Sequence, residues 1–274
     1  MSGAVRRGTV LGLAAIWLLA LHMVLFGSSR PIVHATRVSL PEWPAGAPPL
    51  RIALLSDFHT SAPSDTPARL ARIVDMVNAL HPDLVLLAGD FLSTGSIATR
   101  AYDPAESITP LAALRAPLGV FAVPGNHDYG PFAALGRAFR AIQIPLLVNQ
   151  AVRVGPLAVL AVDDASHNRQ PLSGVLAQWH RIGGIPIALT HDPFGILKMP
   201  ADVRLALAGH THCGQISPPP IGPIVTSSRA GLRYACGIVI DRGRTTIVTG
   251  GLGTSDVPFR LGAAPDFWIV EVGR

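Results

Sequence analysis

The residues best suited to chemistry in this chain stand directly after short apolar runs. Five segments have this arrangement: Asp57-Phe58-His59, Gly89-Asp90, Gly125-Asn126-His127-Asp128, His191-Asp192 and Gly209-His210-Thr211-His212. The runs before them (RIALLS, DLVLLA, GVFAV, IPIALT and VRLALA) are almost uniformly apolar, which is typical of strands buried on both faces. Because ligands bind at the carboxyl ends of strands in open α/β sheets, we expect the five segments to meet at one edge.

The side chains in these segments favour metal ions. Imidazole together with carboxylate suits Zn, Fe or Mn, whereas Ca or Mg would be held by oxygen ligands alone. In Asp57-x-His59 and in His210-x-His212, the two side chains of each pair point the same way if the segment is extended. Asp90 is the natural bridge between two ions. We predict a first metal site formed by Asp57, His59, Asp90 and His212, and a second formed by Asp90, Asn126, His191 and His210.

Such a pair of ions has a definite chemistry. Two metals ~3.5–4 Å apart can hold a hydroxide and clamp a phosphoryl group during in-line displacement. Gly89, Gly125 and Gly209 allow the backbone to turn tightly beside the ligands. The alternative is that these side chains are buried polar groups with no metal, which would cost a great deal of desolvation free energy.

Taken together, the five segments resemble the sequence blocks of the calcineurin-like metallophosphoesterase family, in the same order and at similar spacing, over residues 50–272. The resemblance implies a four-layer αββα sandwich, two divalent metal ions and a metal-dependent phosphoric ester hydrolase. It supports the same seven ligands. It also implies that His127 is not a ligand but neutralises charge on the phosphoryl oxygen or protonates the leaving oxygen, with Asp128 orienting it.

A narrower likeness is to the membrane-associated bacterial phosphodiesterases of this family, the YkuE/YaeI-like group. The stretches Gly209–Pro218 (GHTHCGQISP) and Gly250–Gly262 (GGLGTSDVPFRLG) are similar to late segments of that group. This likeness makes Arg260 a candidate phosphate contact, beside Asn126 and His127. Cys213 stands where the group usually has glycine, which puts local backbone freedom in doubt.

The N-terminal region has the composition of a membrane segment. Gly8 to Gly27 contains no charged residue, and such a helix is long enough to cross the ~30 Å hydrocarbon layer. Arg6 and Arg7 precede it, so the following domain should lie on the extracytoplasmic side. We predict a single-pass signal anchor over residues 1–30 in a bacterial inner membrane, a Pro-rich tether over residues 31–50 and the catalytic domain over residues 51–274. A cleaved signal peptide, cut after the triplet Val33-His34-Ala35, is the alternative.

Strands must alternate with helices to place the five segments. We expect helices over Pro67–Leu80, Pro131–Ala141 and Leu172–Ile182, and a hairpin turn at Asp241-Arg242-Gly243-Arg244. Many short strands and few helices in the second half suggest two packed sheets with helices outside.

The amino-acid composition excludes several classes of protein. The 274 residues are 49% hydrophobic and 14% charged, which excludes a disordered chain. The net charge is +5, but no run of five or more basic residues exists and aromatic residues are 6%, so nucleic acid is not an expected partner. The two cysteines, Cys213 and Cys236, exclude a disulfide scaffold; they can form one disulfide or remain free thiols.

These observations predict an enzyme that cleaves a phosphodiester or pyrophosphate bond by means of a metal-bridging hydroxide. The membrane segment predicts a small-molecule or lipid-linked phosphate at the membrane or envelope as its substrate. The resemblance to the family implies a UDP-diacylglucosamine-like glycolipid nucleotide as one candidate. Two alternatives remain open at this point: a non-catalytic metal-binding envelope protein and a phosphomonoesterase of the same fold.

Overall fold

Two β-sheets carry the fold in a computed structural model, which describes residues 3–95, 97–163 and 172–274. The helices are α1 (Gly3–Gly27), α2 (Pro67–Asn78), α3 (Pro104–Ile108), α4 (Phe132–Ala141) and α5 (Leu172–Ile182). The strands are β1 (Ile32–Ser39), β2 (Leu50–Leu55), β3 (Ser61–Ala62), β4 (Leu84–Leu87), β5 (Arg100–Ala101), β6 (Val120–Ala122), β7 (Gln150–Val154), β8 (Leu157–Val162), β9 (Ile185–Thr190), β10 (Leu205–Ala208), β11 (Gly237–Asp241), β12 (Arg244–Val248) and β13 (Asp266–Gly273).

The two large sheets pack face to face. One has the strand order β1-β13-β2-β4-β6 and the other β11-β12-β10-β9-β8-β7. Apolar side chains from both sheets, among them Leu54, Leu86, Ile187 and Leu207, form the core between them. Helices α2 and α4 cover the outer face of the first sheet, and α5 covers the outer face of the second. The predicted four-layer αββα sandwich is confirmed.

Parallel pairing brings the carboxyl ends of the central strands to one edge. Strands β2, β4 and β6 are parallel, as are β8, β9, β10 and β12. The last paired residues of β2 and β4 are Leu55 and Leu87, so the chain leaves both strands at the same level. The predicted hairpin at 241–244 is also present, joining β11 to β12.

Local sequence explains where the elements begin. Helix α2 starts after Thr66, whose hydroxyl accepts a hydrogen bond from the N–H of Arg69 (3.2 Å), and Pro67 occupies the first helical turn. Leu70, Ile73, Val74 and Val77 repeat at helical spacing and are buried. Each fully buried side chain of this kind contributes about 1.5–3 kcal/mol to stability.

Helix α1 is apolar and exposed. Thr9–Gly27 is a span of 19 residues with a mean hydropathy of 2.3, long and apolar enough to cross a membrane. Trp17 is 74% exposed and Leu11 is 70% exposed, so this helix does not bury its side chains in the domain.

The prediction of a tether over residues 31–50 differs from the structure. Ile32–Ser39 forms β1, which pairs in parallel with β13 along its full length. Leu40 and Trp43 are buried in the core between the sheets. The prolines lie beyond this strand and do not interrupt its pairing, and β-branched residues such as Val33 and Thr36 suit an edge strand.

Candidate metal centre

Five of the seven predicted ligands have an uncommon, left-handed backbone conformation. Asp57 (φ 55°), Asp90 (φ 55°) and His212 (φ 50°) are left-handed, and so are His59 and His210. Left-handed backbone at a non-glycine residue costs free energy, of order 1–3 kcal/mol, and clusters at functional sites. Hydrogen bonds hold it here: the N–H of Asp57 donates to Gly89 O (2.9 Å), and the N–H of His59 donates to Asp90 O (3.0 Å).

One group of ligand atoms is formed by Asp57, His59 and His212, whose atoms all lie within 4.8 Å of one another. His59 Nε2 is 3.1 Å from His212 Nε2, and His212 Nε2 is 3.3 Å from Asp57 Oδ1. All three residues are buried. The first predicted site is therefore assembled in space.

A second group is formed by Asp90, His191 and His210. His191 Nε2 is 3.1 Å from Asp90 Oδ2, from His210 Nδ1 and from Asn126 Oδ1. Asp90 Oδ2 also lies 3.5 Å from His59 Nε2. Asp90 thus reaches both groups, as a bridging carboxylate must.

The hydrogen bond of one ring nitrogen of His191 leaves the other nitrogen available to bind a metal ion. His191 Nδ1 lies 2.7 Å from Ala88 O and donates its proton there, so Nε2 carries a lone pair. In the neutral ring that lone pair faces Asp90 Oδ2, Asn126 Oδ1 and His210 Nδ1. A carboxylate oxygen, an amide oxygen and imidazole nitrogens together form a donor set that suits Zn, Fe or Mn.

Burial keeps the imidazoles in the form that ligates metals. It lowers the pKa of His59, against the neighbouring carboxylates, and lowers the pKa of His212 well below its ordinary value. Neutral imidazole is the ligating state. Burial alone would raise the pKa of Asp90, but the positive charge that His191, His59 and His127 carry when protonated holds that pKa well below its usual range. Asp90 is therefore ionised, and burial favours the neutral, ligating form of His59 and His212.

His127 lies beside both groups and forms a third group of candidate ligand atoms with His59 and Asp90. Its backbone N–H donates to Asp90 Oδ1 (2.9 Å), and its Nε2 is 4.0 Å from Asp90 Oδ2. Its Nδ1 forms a hydrogen bond with Thr94 Oγ1. Thr94 was missed by the sequence reasoning, because a lone threonine in a loop gives no signal of its own. His127 has 15% of its side chain exposed, so an incoming molecule can reach it.

Asp128 does not orient His127, contrary to the prediction. Its two carboxylate oxygens accept four backbone N–H groups instead, from Asp90 (3.0 Å), Phe91 (3.0 Å), Leu92 (3.1 Å) and Gly125 (2.9 Å). Burial and the negative charge of Asp90 raise the pKa of Asp128 to about 7, while the backbone donors favour its ionised form. Asp128 therefore fixes the loop that carries Asp90, and its side chain is fully buried.

Arg260 does not face a substrate either, because its side chain is completely buried. Its Nη2 donates to Gly250 O (2.7 Å) and Gly253 O (2.5 Å), which take both hydrogens. Nη2 also lies 3.1 Å from His212 Nδ1. This contact positions the His212 ring but does not determine which of its two nitrogens is protonated. Arg260 holds the loop behind the metal centre, so the prediction of a phosphate contact is wrong.

The two cysteines lie beside this loop. Cys213 is buried and Cys236 is exposed, both are free thiols, and they are hydrogen-bonded to each other. Cys213 has a left-handed backbone (φ 52°), the conformation that a glycine would adopt more easily.

Comparisons with known proteins agree with the resemblance described in the sequence analysis. The sequence profile of the family described as "Calcineurin-like phosphoesterase" matches residues 50–214. A zebrafish (Danio rerio) "transmembrane protein with metallophosphoesterase domain" is 30% identical over 279 residues, which cover 95% of this chain and 61% of the relative. Less than two thirds of that relative is therefore matched.

Two relatives from Bacillus subtilis match over more of their own length. The "uncharacterized metallophosphoesterase YkoQ" is 30% identical over 79% of this chain and 81% of its own. The "uncharacterized metallophosphoesterase YkuE" is 28% identical over 82% of this chain and 80% of its own. The resemblance stated from the five segments is confirmed.

Proposed function

The chain belongs to the calcineurin-like phosphoesterase family, and on that premise we propose that it is a membrane-anchored enzyme with two metal ions that cleaves a phosphodiester or pyrophosphate bond. The family is one of metal-dependent phosphoester hydrolases that use divalent ions. The observation that carries the proposal is the position of Asp90, whose carboxylate reaches both groups of ligand atoms.

The residues present fit two divalent ions of the Mn, Fe or Zn type. Asp57, His59 and His212 would hold one, Asn126, His191 and His210 the other, and Asp90 would bridge them. When bound, such ions supply a nucleophilic hydroxide and neutralise phosphoryl charge.

The chain's own contribution to the bond-breaking step is made by His127. With Nδ1 held by Thr94, its Nε2 is the nitrogen turned toward Asp90 and the ligand groups. From there it donates a hydrogen bond to a phosphoryl oxygen or a proton to the leaving oxygen. Asn126, the residue before it, binds beside the same phosphoryl group.

Helix α1 supports a membrane anchor over residues 1–30 that remains attached to the catalytic domain of residues 51–274. Cleavage after Ala35 would cut β1 in its middle and remove half of its pairing with β13. Arg69 also ties the end of α1 to the domain, since its guanidinium donates to Ser28 O (3.3 Å) and Ser29 O (3.0 Å).

The anchor indicates where the substrate is. Relatives named as transmembrane proteins support membrane association. Arg6 and Arg7, which precede the apolar span Thr9–Gly27, favour an extracytoplasmic domain on a bacterial inner membrane. The proposed substrate is accordingly a phosphate compound of the membrane or envelope, in the class of a UDP-diacylglucosamine-like glycolipid nucleotide.

The test is turnover of bis(p-nitrophenyl) phosphate by the full-length, detergent-solubilised protein with Mn²⁺. His127→Ala is expected to lower kcat by about 10²-fold, the usual contribution of a positioned acid or hydrogen-bond donor. Its metal content should equal that of the wild type, because His127 is not a ligand in the proposed mechanism.

The matched control is His180→Ala, an exposed histidine at the end of α5, which should leave kcat unchanged. If His127→Ala turns over as fast as the wild type, the role of His127 is wrong. If it loses one ion per chain, His127 is a ligand. A wild-type protein that binds metal but shows no turnover with any divalent ion would instead be a non-catalytic metal-binding protein.

A further inference from the structure

An exposed apolar loop follows the last predicted metal ligands. Gly214–Ser228 contains no charged residue, and its side chains Ile221, Ile224 and Val225 are 74%, 58% and 66% exposed. Large exposed apolar patches mark contact surfaces for proteins or membranes. The position of the loop in the fold favours a membrane over a protein as its partner.

The stem of this loop is joined to the segment that touches α1. The N–H of Ser217 donates to Leu261 O (2.7 Å), and the N–H of Leu261 donates to Gln215 O (3.0 Å). The neighbouring residue, Arg260, donates its backbone N–H to Met23 O (3.2 Å). The loop is therefore connected through two hydrogen-bonded contacts to the last part of the membrane-span helix.

That contact sets the depth of the segment to which the stem of the loop is joined. Met23 lies four residues before Gly27, where the apolar span ends. At the helical rise, four residues correspond to about 6 Å, so Arg260 sits close to the level of the bilayer surface. Gly27 itself packs against the side chains of Thr254 and Arg260, which fixes the end of the helix on the domain.

The loop also borders the metal centre. A cavity of about 350 Å³ lies between them, and Thr211, His212, Val225 and Val257 are among its lining residues. Val225 thus lies on the loop and on the cavity wall, while Ile221 and Ile224 do not line the cavity. A surface in contact with the loop would lie at the mouth of the site.

We propose that Gly214–Ser228 is a membrane-inserting loop, whose Ile221, Ile224 and Val225 enter the boundary between headgroups and acyl chains of the bilayer that α1 spans. The occupant is the lipid bilayer, because the patch is uncharged, contains three large aliphatic side chains and has its stem hydrogen-bonded to the segment that contacts the end of the membrane-span helix. The consequence is that a phosphate carried on a lipid reaches the metal centre without leaving the bilayer. The proposal rests on the anchor part of the proposed function and not on its catalytic part.

The experiment measures the depth of the loop in vesicles. Full-length protein with Cys236→Ser and Ile224→Cys is labelled with an NBD fluorophore and reconstituted into vesicles of phosphatidylcholine and phosphatidylglycerol, with or without 5-doxyl phosphatidylcholine. Cys213 is buried and does not compete for the label. The nitroxide lipid should quench the NBD emission severalfold, as expected for a side chain ~5–10 Å below the headgroups.

Two further labelled positions provide a second measurement on the loop and a control away from it. Ile221→Cys in the same background should be quenched like Ile224→Cys. Ile182→Cys, at the end of α5 where the chain enters the amino end of β9, lies at the opposite edge of the sheet and should not be quenched. Turnover of bis(p-nitrophenyl) phosphate by each labelled protein, at the level of the Cys236→Ser parent, verifies folding.

If both loop labels respond like the label at Ile182, the proposal is overturned. A blue shift without quenching, dependent on protein concentration, would show contact with a second copy of the chain and would also overturn it. A protein without any turnover would count against the catalytic proposal only, because the quenching does not depend on catalysis.

Discussion

Asp90→Ala is expected to lower Mn²⁺-dependent turnover of bis(p-nitrophenyl) phosphate by on the order of 10³-fold or more. Asp90 Oδ2 lies 3.1 Å from His191 Nε2 and 3.5 Å from His59 Nε2, so one substitution removes a ligand from both predicted sites. Asp90 Oδ1 also accepts the N–H of His127, and its loss frees the loop that carries the proposed acid. Steady-state kinetics of the full-length protein measure the effect.

The control for this variant is Asp75→Ala on the exposed face of α2, which should leave turnover unchanged. Circular dichroism of both variants checks that the fold is retained. Turnover by Asp90→Ala within tenfold of the wild type would contradict a bridging role for this carboxylate.

Gly125→Ala is expected to lower turnover by about 10²-fold, because small displacements of catalytic groups cost this much. A Cβ atom at residue 125 would lie 2.2 Å from Asp90 Oδ1 and 2.5 Å from Asp90 N. Since the backbone nitrogen cannot move aside as a flexible side chain can, the methyl group must displace the bridging carboxylate. Gly125 has a negative φ, so the effect is one of space and not of backbone strain.

The same substitution on the same loop provides the control. A Cβ atom at Gly130 meets nothing within 4 Å, so Gly130→Ala should retain wild-type turnover. Equal activities of the two variants would show that the close approach of residue 125 to Asp90 does not matter for catalysis.

The sequence alone predicted the edge of the sheet where the site lies, for a physical reason. Each apolar run forms a strand buried on both faces, parallel strands end at one edge, and Asp57, Asp90 and His191 are the first ionisable side chains after their strands. The grouping of Asp57 with His212, and of Asp90 with His210, was also predicted, because the resemblance to the family relates distant segments to one another. Gly125 and Gly209 beside the ligands were expected, and both make close approaches there.

The roles of side chains behind the ligands could not be predicted. The resemblance implied that Asp128 orients His127, but a short turn points the Asp128 carboxylate at four backbone N–H groups. Arg260 was a candidate phosphate contact because Gly250–Gly262 is similar to a late segment of the YkuE/YaeI-like group. It is buried instead, and its hydrogen bonds to carbonyls depend on loop geometry that no residue pattern encodes.

We did not predict the strand at residues 32–39, because the prolines that follow it indicated a tether. Edge-strand pairing with β13 joins segments more than two hundred residues apart, and nothing local to either segment specifies the pairing. Nothing in the sequence indicated that the loop at 214–228 forms an exposed surface. Only the fold shows that its stem is hydrogen-bonded to the segment that contacts α1.

Counting the metal ions bound to the full-length protein tests the central claim most directly. Protein loaded with Mn²⁺ or Zn²⁺, freed of excess metal and analysed by elemental mass spectrometry, is predicted to hold two ions per chain. Finding one ion or none per chain, in protein whose fold is intact, would contradict the assignment of Asp57, His59, Asp90, Asn126, His191, His210 and His212 to a dinuclear centre.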